Sequence, residues 1–127
     1  MTKSQLEETF FSTWALFSNS LGLQGAPLEA QVALNAPASR HVWDYVFREQ
    51  RIVIEIQGGT WLPGRTAHSG GTGATKDAKK CNLAALLGYT TLFATSDMLN
   101  PTHIVEFLQV VAEVLKQRGA TCQMLSR

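Results

Sequence analysis

Two acids stand on neighbouring β-prone segments at a spacing that brings them together. His41 to Phe47 is bulky and β-prone, Arg51 to Ile56 repeats that character, and only Arg48 to Gln50 lies between them. This reads as a hairpin. With Glu49-Gln50 as a two-residue turn, Asp44 directly faces Glu55, their Cβ atoms about 5 Å apart. Like charges so placed are destabilising unless something positive lies between them, and a divalent cation is the simplest answer. Alternation puts Gln57 on the face of Glu55 and turns Ile52, Ile54 and Ile56 to the opposite, apolar side. Oxygen ligands of this kind suit Mg²⁺ or Mn²⁺ and not zinc, which prefers Cys and His. The turn holds neither Asn-Gly nor Asp-Gly, and a one-residue slip would break the pairing. Glu55 is the stronger anomaly, because a carboxylate within Ile-Val-Ile-Glu-Ile-Gln must be neutralised to be tolerated. The alternatives are a strand-edge acid for Asp44 and, for Glu55, an ion pair with Arg51 or Lys80.

The elements around this hairpin are readable in outline. Ser4 and Glu7 have capping-box spacing, and Leu6, Phe10, Trp14, Phe17 and Leu21 recur at helical steps until Gly22, Gly25 and Pro27. A weak extended segment at Gln31 to Leu34 precedes the turn Asn35-Ala36-Pro37. Gly58 to Gly73 holds six of the ten glycines and reads as a long loop, of a length that is usually functional. Thr75 is placed to cap a helix through Asp77, Lys80, Asn82 and Leu87, which Gly88 stops. Thr90 to Ala94 is a short strand. Asn100 and Pro101 open a last helix whose stripe is Ile104, Leu108, Val111 and Leu115, ending before Gly119. The class is α/β or α+β around one small mixed sheet.

Composition narrows the function classes. At 127 residues the chain is one domain, and 45% apolar against 17% charged residues is a composition that folds. Eleven Lys and Arg against ten Asp and Glu leave a net charge of +1, too little to hold a polyanion by bulk charge, so any nucleic-acid contact must be local, with metal assistance one way to support it. Cys81 and Cys122 form neither a disulfide framework nor a zinc knuckle, and a reducing cytoplasm fits. The acids near the N-terminus argue against a signal peptide, and no apolar run approaches the ~18 residues of a membrane span. Gly70-Gly71-Thr72-Gly73-Ala74-Thr75-Lys76 spells neither the phosphate-loop nor the dinucleotide motif, so no nucleotide cofactor is expected.

Taken in order, Asp44, Glu55-Ile56-Gln57, Gly58-Gly59-Thr60-Trp61, Gly64-Arg65, His68, Asp77, Lys80, Asn82 and Gly88-Tyr89 resemble the PD-(D/E)XK nuclease superfamily. The nearest likeness is to small phage and prophage endonucleases related to very-short-patch-repair and restriction-type enzymes. The resemblance implies a restriction-endonuclease-like core of helix, three strands, helix and strand, here with a C-terminal helix, and Mg²⁺- or Mn²⁺-dependent cleavage of DNA phosphodiesters. It makes Asp44 and Glu55 metal ligands with the Ile56 carbonyl a third, and Glu7 an assisting acid on the first helix. Trp43 replaces the proline of the name. Gln57 stands where the lysine belongs, and Lys80 is the natural substitute, since some members carry this lysine on the following helix; a solvated helix lysine is its alternative reading, and Lys76 and Lys79 are its rivals.

On this reading Gln57 and Lys80 arrange the attacking water, and His68 positions water or meets a phosphate, or is merely solvated. Gly71, Gly73 and Lys76, with Arg65 as the charged partner, contact the DNA backbone. Trp61 packs beneath the loop or stacks on a base. The expected function is a cytoplasmic, metal-dependent DNA endonuclease of phage or mobile-element DNA processing, with a homodimer as one arrangement. A Holliday-junction or branched-DNA resolvase of the same fold is the near alternative. A non-catalytic DNA-binding or assembly module is the alternative of another class.

Overall fold

A computed structural model of the chain describes residues 1–57 and 63–120, and of 63–72 the backbone only. Helix α1 covers Lys3–Ser20. Thr2 sets its start: the Thr2 hydroxyl accepts from the Gln5 N–H at 3.1 Å, and the Gln5 side chain accepts from the Thr2 N–H at 2.8 Å. The capping box is therefore Thr2 with Gln5 and not Ser4 with Glu7, because the earlier pair already satisfies those donors. Glu7 is left to face the sheet. Leu6, Phe10 and Trp14 are buried, with Phe17 and Leu21 packed on the same cluster.

Strands β1 (Glu29–Val32), β2 (Trp43–Phe47) and β3 (Ile52–Gln57) pair antiparallel, and β4 (Thr90–Thr95) adds to β3 in parallel, giving the order β1-β2-β3-β4. β1 starts earlier than the segment expected at Gln31 to Leu34. Pairing decides this, since Glu29 lies opposite Val46 and an Arg48–Glu29 ion pair of 2.8 Å holds that end. The β2–β3 hairpin takes the expected register, Tyr45 opposite Ile54 and Phe47 opposite Ile52, around a turn closed by the Arg51 N–H on the Arg48 carbonyl.

Helix α2 runs Pro63–Leu86, so the expected loop is helical from Pro63 onward and the start expected at Thr75 falls inside the helix. A proline suits a first turn, and a helix this long tolerates Gly70, Gly71 and Gly73 at about 1 kcal/mol each relative to alanine. Gly88, at φ +88°, ends it, with the Tyr89 N–H on the Ala84 carbonyl at 2.8 Å. Arg51 ties this corner to the hairpin, donating to the Leu87 carbonyl at 2.9 Å and lying 5.6 Å from the Tyr89 ring centroid. A 3₁₀ turn at Asp97–Leu99 leads to α3, Ile104–Gln117. Asn100 caps the turn before it, its Oδ1 accepting from the Thr102 and His103 amides, so the regular helix begins later than the Asn100-Pro101 signal implied.

Ile104, Leu108, Val111 and Leu115 are all buried. With α1 and the inward faces of β2 and β3, including Tyr45, Phe47, Ile52, Ile54 and Ile56, they form the larger core. On the opposite face Ala84 of α2 packs with Val32, Trp43, Val46 and Val53. The result is a mixed α/β arrangement of one four-stranded sheet between α1 with α3 and α2. Among the described residues no helix is long and apolar enough to cross a membrane.

Candidate active site

The β2–β3 ladder is regular as far as Tyr45 and Ile54; beyond that pair side chains replace it. The Asp44 N–H donates to Glu55 Oε2 at 2.8 Å, and the Ile56 N–H donates to Asp44 Oδ2 at 2.8 Å. Each carboxylate thus satisfies a backbone donor at the strand ends. Trp43 and Val46, three residues apart, share the α2-side cluster while Tyr45 belongs to the other, so strict alternation breaks beside Asp44. Gln31, which the β1–β2 register sets opposite Asp44, adopts φ +53°, a left-handed backbone uncommon for a residue with a side chain.

The remaining carboxylate oxygens face ammonium groups. Lys3 Nζ, from the first turn of α1, is 3.3 Å from Asp44 Oδ1 and 4.0 Å from Glu7 Oε2. Lys80 Nζ, from α2, is 2.5 Å from Glu55 Oε1 and 5.6 Å from the centroid of the Trp43 ring. Asp44 is 4% and Glu55 9% exposed, and carboxylates so buried are tolerated only when paired and hydrogen-bonded. The charge that the hairpin register assigned to a divalent cation is balanced here by two lysines and two amides. Among the described residues no group of three or more His, Cys, Asp and Glu side chains forms a metal cage. The Lys80 pairing raised for Glu55 is present, whereas Arg51 is committed to the end of α2.

Electrostatics couples α1 to this pair. Burial, then the charge of Asp44 and a hydrogen bond with it, raise the Glu7 carboxyl above its usual range, against the opposing pull of Lys3 and Gln31. The Tyr45 hydroxyl donates to the Glu7 carbonyl at 2.9 Å. Burial, with the charges of Glu7 and Asp44, pushes this phenol up to about 12. Burial likewise raises the Cys81 thiol, with Glu55 and Asp77 adding to it.

Glu7, Asp44, Glu55, Ile56 and Lys80 therefore meet as the sequence led one to expect. Gln57, half-buried at the end of β3, borders with Glu55, Trp43 and Lys80 a cavity of about 10 Å³, room for about one water. Of the rival lysines, Lys79 is exposed and Lys76 lines a cleft with Lys80. The side chains of Arg65 and His68 lie outside the described residues, as do the Gly58-Gly59-Thr60-Trp61 segment and Cys122. Gly71 and Gly73 are not loop donors: both sit inside α2, where backbone amides are spent on carbonyls one turn earlier.

Sequence reasoning missed Lys3, Gln31 and Tyr45. Lys3 carried a signal, since it precedes Glu7 by one helical turn and so shares its face. Gln31 carried none, because only the tertiary fold brings it to Glu7.

The donors of Asp44 and Glu55 are all oxygen, which fits a hard divalent cation, and the two ammonium groups show that these oxygens hold positive charge. No protein-family model matches the chain, nor does any curated protein or solved structure.

Proposed function

We propose that the chain is a metal-dependent DNA endonuclease of the PD-(D/E)XK type, with Asp44 and Glu55 as its central carboxylates. The observation that carries this reading is the 2.5 Å contact of Lys80 with Glu55. It brings an ammonium from α2 to the second acid of the motif, where Gln57 supplies none. The order of elements, helix α1, strands β1 to β3, helix α2 and strand β4, supports it further, being the order the resemblance implies.

Asp44, Glu55 and the Ile56 carbonyl would hold Mg²⁺ or Mn²⁺. Such an ion neutralises charge building on the phosphate and lowers the pKa of a bound water. Lys80 keeps a charged donor beside Glu55, able to orient a water or steady a phosphate oxygen. Gln57 borders the same one-water cavity and serves as its neutral hydrogen-bonding wall. Glu7, raised by burial and by Asp44, keeps its proton to higher pH than an ordinary glutamate, so its repulsion with the pair eases earlier as pH falls.

One observation favours a second reading, a DNA-binding module without chemistry: all four oxygens of Asp44 and Glu55 already have protein partners. Lys80→Ala and Lys80→Gln separate the two. In the nuclease both variants cut DNA at least tenfold more slowly with Mn²⁺, about 1.4 kcal/mol in the barrier, while still binding the ion by calorimetry. Unchanged cutting would remove Lys80 from the chemistry, and no cutting by the wild type would leave the binding module.

A further inference from the structure

A cleft of about 500 Å³ opens between the segment leading into β2 and α2, and of its lining the nuclease assignment uses Lys80 alone. Arg40, His41 and Val42 line one wall, and Lys76, Asp77 and Lys80 the other. Three permanent cations and an imidazole thus meet one carboxylate. Arg40 and Lys76 are exposed, and neither has an ion-pair partner among the described residues. Lys80 is committed to Glu55, and its side chain is 16% exposed. The His41 ring is 6.1 Å from the Trp43 ring, which in turn lies under Lys80. The exposed positive charge is that of Arg40 and Lys76, and Lys80 links the cleft to Glu55.

Resting on the nuclease reading above, we propose that this cleft seats a backbone phosphate of the DNA strand, held by Arg40 and His41 from one wall and Lys76 from the other. A phosphodiester presents two acceptor oxygens in different directions, which two facing walls of donors can engage together. The arginine fork suits them geometrically, and the lysine acts as a point charge. Asp77 is adjacent to Lys76 and one turn before Lys80, so its charge is offset within the wall itself. With a net charge of only +1 on the whole chain, a local cluster of this kind is where a polyanion is gripped. His41, which opens the first β-prone segment, becomes a phosphate contact.

The test is fluorescence anisotropy of labelled single-stranded and duplex oligonucleotides on the full chain in EDTA, across a salt series, so that no cleavage is read. Arg40→Ala/Lys76→Ala is expected to weaken binding at least tenfold and to flatten the salt slope by about two. Lys79→Ala, which removes one charge from the same helix outside the cleft, is expected to stay within twofold of wild type. The charge-keeping pair Arg40→Lys/Lys76→Arg retains most of the affinity and serves as the readout should the alanine pair melt early. Loss below twofold in the alanine pair, an equal loss in Lys79→Ala, or no binding by the wild type at low salt overturns the proposal. Cutting by the wild type beside unchanged affinity in the alanine pair removes the cleft and leaves the nuclease. Loss confined to the alanine pair, with no cutting under any divalent metal, keeps the cleft and removes the nuclease.

Discussion

Lys3 is the residue on which the metal question turns. Its ammonium sits on Asp44 Oδ1 from a side chain that is 49% exposed, so on the proposed nuclease reading it is a competitor that a divalent cation would have to displace. With the lysine half-exposed over a buried carboxylate, the pair is worth about 1 kcal/mol after solvent screening, so Lys3→Ala is expected to tighten Mn²⁺ binding by calorimetry, by up to about fivefold. Weaker binding in that variant would mean that Lys3 supports the ion and does not oppose it. Tyr45 supplies the pH dependence. Its folded value, about 12, lies above the ordinary 10, so the neutral phenol is favoured by the fold. The stability this contributes is fully present below pH 10 and is lost as pH rises through about 12. Titration followed by phenolate absorbance is expected to show a late step near pH 12 that Tyr45→Phe lacks, and a Tyr45 that ionises at its ordinary value would contradict the buried contact with Glu7. At this scale Asp44 and Glu55 were legible because acids in apolar strands are anomalies, and Lys80 because the resemblance pointed to a lysine on the following helix. The partners of the acids were not, since the sequence shows a charge but not the ammonium that has folded onto it.

Among the elements, the hairpin was the most readable and α2 the least. Alternation and a two-residue turn define β2 and β3 locally, and the Ile52, Ile54 and Ile56 face is the core face they imply. Alternation failed only beside Asp44, where the strand end is bonded by side chains and Gln31 is left-handed. α2 was obscured by its composition. Three glycines near its middle and a threonine after them imitate a loop with a helix cap, and propensity yields to the chain's wider packing. Gly73→Ala examines this directly. An added Cβ there meets nothing within 4 Å, so in a continuous helix the variant gains about 0.5–1 kcal/mol and melts a few degrees higher. An unchanged or lower melting temperature would say that the helix begins beyond Gly73, as the threonine cap implied.

At the scale of the whole molecule, one sheet carries both acids at the end of β2 and along β3, and a helix on each side neutralises them: α1 brings Lys3 to Asp44, α2 brings Lys80 to Glu55. This division explains why the site could be anticipated from a hairpin alone while its balance of charge could not. It also sets the substrate question, because a net charge of +1 offers little long-range attraction and recognition must rest on local shape. The most direct measurement incubates linear duplex, single strand, flap and four-way junction DNA with the wild type and with Glu55→Gln, in Mg²⁺ and in Mn²⁺. The wild type is expected to cut one of these forms clearly faster than the others, with paired symmetric nicks in the junction marking a resolvase, and Glu55→Gln to abolish the cutting. Equal cutting by both proteins, or no cutting of any form under either metal, would contradict the nuclease reading.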